Sequence, residues 1–293
     1  MKILGRIVRT IAVLGLALHS AHAGATTLKV LTFNVRGLPF PLSPDKPARM
    51  KTLCQLLAGN AHWDVVLLQE LYMNHDQKKL IACAQQGGYA YHFSKARGNL
   101  VIGLMRSGVM ILSRHPILRS AALKFTSQTF QAERDALLVQ IGIPGSPPIW
   151  IADIHLSPDY KGTTIHHTRE RRSQLQELTR WLAPAMASSA PLIIGGDFNF
   201  GPNFNGHDPL WEELPQLLPG FAQADFPLDT TCTFCPPNSA VKAKDNTGKI
   251  DHLFGSPALR PIQGQVVFRD QFILGRKSFF LSDHFGWETE FAY

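Results

Sequence analysis

The sequence has 293 residues, of which 45% are hydrophobic, 17% charged and 10% aromatic, with 23 Gly and 20 Pro. This is the profile of a folded globular chain, and it excludes a disordered tail, a collagen-like fibre, a coiled coil and a polytopic membrane protein. The formal charge of +7 permits an anionic partner without being evidence for one.

The first element in chain order is not part of the fold. MKILGRIVRTIAVLGLALHSAHA carries a basic start at Lys2, Arg6 and Arg9, an apolar run from Ile11 to Leu18, and the cleavage pattern Ala21-His22-Ala23. These are the marks of an export signal, and the run is too short to span a bilayer comfortably. Residues 1–23 are therefore expected to be cleaved, leaving 24–293 as a single exported domain, periplasmic or secreted. Losing the three cations of the signal lowers the formal charge from +7 to +4. No later segment is long and apolar enough to cross a membrane.

LKVLTFN at 28–34 reads as a strand, ARMKTLCQLLAGN at 48–60 as a helix closed by Gly, and DVVLLQE at 64–70 as a strand covered on both faces. A helix is predicted near 75–86, strands near 89–93, 108–113, 136–142 and 148–155, and a helix near 169–183. PLIIGGDFN at 191–199 is a further buried strand running into polar residues, and GKIDHLFGS, GQVVFRD and GWETEFAY supply three more strands. Many strands, a few long helices and no Gly/Ser linker argue for one α/β domain around a large sheet core.

Four cysteines in an exported chain favour disulfides over redox or metal roles. A local Cys232–Cys235 bridge is expected in TCTFC, because a lone CxxC is a weak zinc signal. Cys54 and Cys83 fall on neighbouring predicted helices, but sequence does not set connectivity.

Several predicted strands end in a residue able to bind metal or move protons. Asn34 closes the first, Glu70 the second, His155 the run IWIADIH, and Asp197 with Asn199 the run PLIIGGDFN; Asp251 lies in KIDH, and Asp283 and His284 in LSDHFGW. Active sites of sheet proteins collect at strand ends, where a rigid scaffold presents loop residues into one crevice. Singly, each has a bland reading: a turn Asn, a solvated Glu, a hydrogen-bonded core His, a loop Asp. Five such strand-end sites together are hard to obtain from turns alone.

Taken jointly, TFNVRG, DVVLLQEL, SGVMILSRHPI, ADIHLSP, IIGGDFN, GKIDHLFGS and LSDHFGW resemble the endonuclease/exonuclease/phosphatase superfamily with its DNase I-like fold. That resemblance spans essentially residues 28–293 and implies a four-layer αββα sandwich, two packed mixed sheets flanked by helices. Within the superfamily, FNVRGLPFPLSPDKPARM, the segment ending in RHPI, and IHLSPDY followed by Arg171 and Gln174 are most similar to the neutral sphingomyelinase branch. Three departures stand out. Asp153 occupies a position that is often Asn, Glu133-Arg134-Asp135 does not reproduce an expected basic-Gly pattern, and the membrane-spanning helices of eukaryotic members have no counterpart before Tyr293.

The resemblance implies a secreted Mg²⁺-dependent phosphodiesterase, with Mn²⁺ as a substitute ion, acting on a phospholipid or sphingolipid at a membrane surface. The alternative it carries is a DNase I-like nuclease acting on nucleic acid. Hard oxygen donors suit Mg²⁺, and the resemblance assigns metal binding to Asn34, Glu70 and Asp283. It makes His284 the base for water, Asp251 its orienting partner, Asp197 and Asn199 the residues aligning water and phosphate, and His155 a donor on the opposite side of the phosphate.

Other candidates carry less. Lys161, His166, His167, Arg169, Arg171 and Arg172 are read as a solvated helix start. His252 follows Asp251 in a strand and should face the opposite side. Phe40, Phe204 and Trp211 are loop residues able to touch a membrane interface.

Overall fold

In a computed structural model, the protein is described over residues 26–59, 62–95, 107–127, 133–158, 164–188, 190–204, 208–227, 231–242 and 247–293. The expected export signal and Lys161 lie outside these residues, as does the side chain of His166.

Alternation along the strands sets the layers. In β1 (Thr27–Asn34), Leu28 and Val30 point to one side and Leu31 and Phe33 to the other, and β2 (Val65–Gln69) divides its residues the same way. These strands pair in parallel at the centre of a six-stranded sheet, flanked by β13 (Gly286–Ala292) and β10 (Arg260–Val267) on one side and by β4 (Met110–Ser113) and β3 (Tyr91–Ser94) on the other. A second sheet runs in the order β5 (Ile117–Lys124), β6 (Asp135–Ile141), β7 (Ile149–His155), β8 (Leu192–Asp197), β9 (Asp251–Gly255), with β7 and β8 parallel and the other pairs antiparallel.

The inner faces meet through Val30, Leu67 and Ile111 of the first sheet and Val139, Ile151, Ile193 and Leu253 of the second. Helices α1 (Lys46–Ala58) and α2 (Asn74–Gln86) cover the outer face of the six-stranded sheet with Met50, Leu53, Leu57 and Leu80. Helices α3 (Thr164–Met186) and α4 (Pro209–Leu217) cover the other sheet with Leu175, Leu178, Leu182, Leu210 and Leu214. The order helix, sheet, sheet, helix is the expected sandwich. Among the described residues no helix is long and apolar enough to cross a membrane. Cys54–Cys83 joins α1 to α2, and Cys232–Cys235 closes a loop ahead of β9.

Three features depart from the sequence reading. Strand β5 and a hairpin of β11 (Phe272–Leu274) and β12 (Lys277–Phe279) are additional to the predicted elements, because β5 leaves most side chains exposed and so has no apolar face to announce it. Helix α4 carries Pro209 and Pro215, which punctuate its apolar pattern; Pro209 sits in the first turn, where a missing N–H costs nothing, and Asp208 caps it by accepting from Leu210 N at 3.0 Å. The start of α3 is a solvated basic surface only in part, with Arg169 exposed and Arg172 half-buried. Arg171 is fully buried, and His167 and Glu170 are buried beside it. Arg171 donates to Ser157 O at 3.3 Å and lies 3.5 Å from Asp208, while Arg172 binds Glu213 at 2.6 Å. A buried guanidinium is tolerated because it is paired and hydrogen-bonded.

Candidate active site

Parallel β1 and β2 end at the same edge of the sandwich as parallel β7 and β8, and antiparallel β9 begins there. The register places His155 beside Asp197 and Asp197 beside Asp251 on three neighbouring strands. Alternation aims all three at the inner face, toward Asn34 at the end of β1.

At Asp197 Oδ2 groups from both sheets converge. Asn34 of the six-stranded sheet donates its Nδ2 to this oxygen at 2.9 Å, His155 Nε2 lies 3.5 Å away, and His284 Nε2 lies 3.9 Å away. The other ring nitrogen of His284, Nδ1, is 2.9 Å from Asp251 Oδ2. Asn199, with φ +55°, donates its backbone N–H to Asp197 Oδ1 at 2.9 Å and its side-chain amide to Leu156 O at 3.0 Å. It therefore braces the loop after His155. Glu70 follows β2 with φ +58° and is half-buried. Gly108 lets that turn close: at φ +74° a Cβ there would lie 2.9 Å from Glu70 Cα.

Charge is strongly organised. Burial and the neighbouring Asp251 carboxylate push Asp197 up to about 7. Burial opposes charge on His284, yet Asp251, Asp197 and Asp283 raise it to about 10. His155 is driven well below the usual histidine value by burial, by Arg134 and by His284. The two imidazoles are thus set apart, one holding a proton and one refusing it. Glu70 is raised by burial and by the facing Asp283.

Two site residues escape the sequence reading. Arg134 is buried with its Nη1 2.7 Å from both ring nitrogens of His155, and it hydrogen-bonds with the Tyr72 hydroxyl. Arg134 precedes β6 rather than closing a strand, and its only signal is the ERD triplet, which in sequence reads as a departure and nothing more. Tyr72 is likewise buried, its hydroxyl held well above the usual range by burial and by Glu70. Asp153 lies behind the site, accepting from Gln69 Nε2 at 2.7 Å, and burial raises it well above an ordinary carboxyl.

The expected metal set is brought together in part. Asn34 Oδ1 accepts the Arg36 N–H at 3.0 Å, and Asp283 pairs with Arg36 Nε at 3.4 Å, so Arg36 already balances part of that set. Asp197, Asp251 and His284 each offer a ligand atom, all within 4.8 Å of one another, and Asp251 Oδ1 is buried with no hydrogen-bond partner among the described residues. Glu70, which hydrogen-bonds with Asn34 and has Asp283 as its charged neighbour, offers with them the hard oxygen donors that a divalent cation takes. His252 faces the outer side, its Nε2 3.0 Å from Phe200 O. Phe204 is buried and so not available to a membrane; Trp211 lies in α4 rather than in a loop, half-buried and packed on the ring of His252 at 4.9 Å, and Phe40 is 80% exposed.

The sequence pattern of the Endonuclease/Exonuclease/phosphatase family matches residues 31–284. A Drosophila melanogaster protein named "Putative neutral sphingomyelinase" is 25% identical over 188 residues, 60% of this chain and 40% of its own. The chain thus spans about two fifths of that relative. A mutant of beta toxin from Staphylococcus aureus with bound magnesium ions superposes with a TM-score of 0.72 at 19% identity over 90% of this chain and 99% of its own. D. rerio TDP2 complexed with a single-strand DNA product gives 0.70 at 22% identity over 92% and 100%. At such identities the two structures establish the DNase I-like fold.

Proposed function

The chain belongs to the endonuclease/exonuclease/phosphatase family, and from that premise we propose that it is an exported, Mg²⁺-dependent phosphodiesterase releasing a phosphorylated headgroup from a phospholipid, a sphingomyelinase-type hydrolysis. The observation that carries the reading is the triad of Asp251, His284 and Asp197, joined at 2.9 Å and 3.9 Å at the shared edge of both sheets. A lipid surface is supported by the relative of sphingomyelinase name and by three outward apolar side chains, Phe40, Leu42 and Ile273, exposed by 80%, 62% and 78%. Phe40 and Leu42 follow Arg36, which pairs with Asp283, and Ile273 lies on the hairpin that leads into Ser282–His284. Outward apolar side chains of this kind suit a lipid interface.

In the hydrolysis, water must lose a proton as it attacks phosphorus, and the leaving oxygen must gain one. His284 Nε2 takes the proton. Asp251, at Nδ1, fixes the tautomer and stabilises the imidazolium that results. Asp197 Oδ2 accepts from the attacking water and holds it in line. On the far side, Arg134 sets its charge against the phosphate while keeping His155 neutral and oriented; the neutral His155 ring donates a hydrogen bond to a phosphate oxygen, and the leaving oxygen takes its proton from solvent water. Glu70 and Asn34, with Asp283 in support, would hold the cation, which when bound neutralises phosphate charge and, by repelling the His284 imidazolium, favours its neutral form. Asn199 keeps the His155 loop in place through Leu156 O.

The test is phosphocholine release from sphingomyelin vesicles, with Mg²⁺ or EDTA, run beside plasmid and single-stranded DNA. Release that requires Mg²⁺, is abolished by EDTA, and falls below a few per cent in His284→Ala is the expected result. DNA cleavage with intact lipid would move the protein to the nuclease reading. Full lipid turnover in EDTA would remove the metal from the mechanism.

A further inference from the structure

The loop closed by Cys232 and Cys235 touches both halves of the Asp251–His284 pair. Two residues stand between the cysteines, Thr233 and Phe234. Thr233 is fully buried, and its Oγ1 accepts two backbone N–H groups, from Ile250 at 3.0 Å and from Asp251 itself at 3.2 Å. Its carbonyl accepts from Phe285 N, next to His284, at 2.7 Å. The Phe234 ring lies 5.0 Å from the His284 imidazole, and Phe234 exchanges backbone hydrogen bonds of 3.0 Å with Gly248. Just beyond the bridge, Asn238 donates to Ser282 O at 2.8 Å. Asp251 and His284 come from segments 33 residues apart, and this loop is the backbone that binds to both.

We propose that the Cys232–Cys235 loop is a positioning clamp for the acid–base pair, with Thr233 as its positioning residue and the disulfide as the bond that keeps Thr233 in register. The proposal rests on the reading of Asp251 and His284 as that pair. A loop without regular structure is costly to hold in one conformation, and a bridge across it removes most of the alternatives. The clamp is therefore open to redox control. A dithiol reductant passes two electrons and two protons to the sulfur–sulfur bond, leaving two thiols on the loop and a disulfide on the reductant. Thr233 is then free to leave, and the pair loses its fixed separation.

Thr233→Val keeps the shape and removes the acceptor, Thr233→Ser keeps the acceptor, and Cys232→Ala with Cys235→Ala removes the bridge. Each is compared with the parent for kcat and KM on vesicles with Mg²⁺, and, without substrate, for the downfield proton NMR signal of His284 Nδ1–H shared with Asp251. Thr233→Val and the double cysteine variant are expected to lose roughly tenfold in kcat with KM within about twofold, and to weaken or lose the signal, while Thr233→Ser stays near the parent. Unchanged kcat and an unchanged signal in both Thr233→Val and the double variant would overturn the clamp. Should a variant fail to fold, dithiothreitol added to the folded Cys54→Ala, Cys83→Ala protein leaves Cys232–Cys235 as the bridge to be reduced, and a signal that survives reduction overturns the proposal equally. Absence of turnover in the parent would count against the functional reading, and the proton signal would still decide the clamp.

Discussion

Asp197 and His284 are built from the same ingredients to opposite effect. Asp197 is raised to about 7 by burial and by the Asp251 carboxylate beside it, while His284, whose burial works the other way, is carried to about 10 by that same carboxylate. Asp251→Asn removes the largest influence favouring the imidazolium, so the His284 pKa falls, and an NMR titration of the metal-free protein reads the shift directly. The sign for turnover follows. A base works as the neutral ring, so the rising limb of the pH–rate profile moves to lower pH in the variant, while the maximum drops at least about tenfold because the developing imidazolium loses a charged acceptor. An unmoved limb would separate Asp251 from the base. At this scale the sequence brings forward Asn34, Glu70, His155 and Asp197, which stand at or just after the ends of β1, β2, β7 and β8. It conceals Arg134 and Tyr72, whose roles arise from which loop packs against which. Asp153 lies between these cases. Its departure from Asn is visible in sequence, but its surroundings are not: burial raises it well above an ordinary carboxyl, while Gln69 Nε2 donates to its Oδ1 at 2.7 Å.

The strand that ends in Asp197 depends on backbone rather than side chains. Gly196 has φ +140°, and a Cβ there would lie 2.0 Å from Ile154 O of the neighbouring strand β7. Gly196→Ala is expected to cost at least about 2 kcal/mol, measured by chemical denaturation, since neither the dihedral nor the neighbouring carbonyl can yield cheaply. A variant as stable as the parent would mean that β8 has room to shift. In sequence the double glycine of IIGGDFN serves as part of a motif, and its physical cause is this close approach. Elements are legible where one face is continuously apolar, as in β1, β2, β7 and β8. They are lost where the pattern is broken by exposure, as in β5, or by proline, as in α4. Arg171, in the basic start of α3, reads wrongly as solvated because its charge is answered by Asp208 and the Ser157 carbonyl, partners distant in sequence.

Across the whole molecule, the outer helices are tied independently of the site. Cys54–Cys83 joins α1 to α2 across 29 positions of sequence, a loop whose closure in the unfolded chain is worth about 3–4 kcal/mol. Replacing both cysteines with alanine should reduce the unfolding free energy by that amount, measured by chemical denaturation, and leave kcat unchanged, because neither helix supplies a catalytic group. A matching loss of kcat in the folded variant would show that α1 and α2 also set the geometry of the strand ends. The four-layer order is accessible from the succession of motifs. The pairing of the sheets is not, since it depends on Leu28, Val30 and Leu67 meeting Ile151, Ile193 and Leu253 across the interior.

The hydrogen bond from Asn34 to Asp197 crosses the seam between the two sheets. Neither half of the sandwich holds a complete set of reacting groups, so the order of assembly matters to chemistry: a chain with one sheet formed, however well ordered, has nothing with which to cut a phosphodiester. The Asn34–Asp197 contact exists only once the two halves are closed on each other.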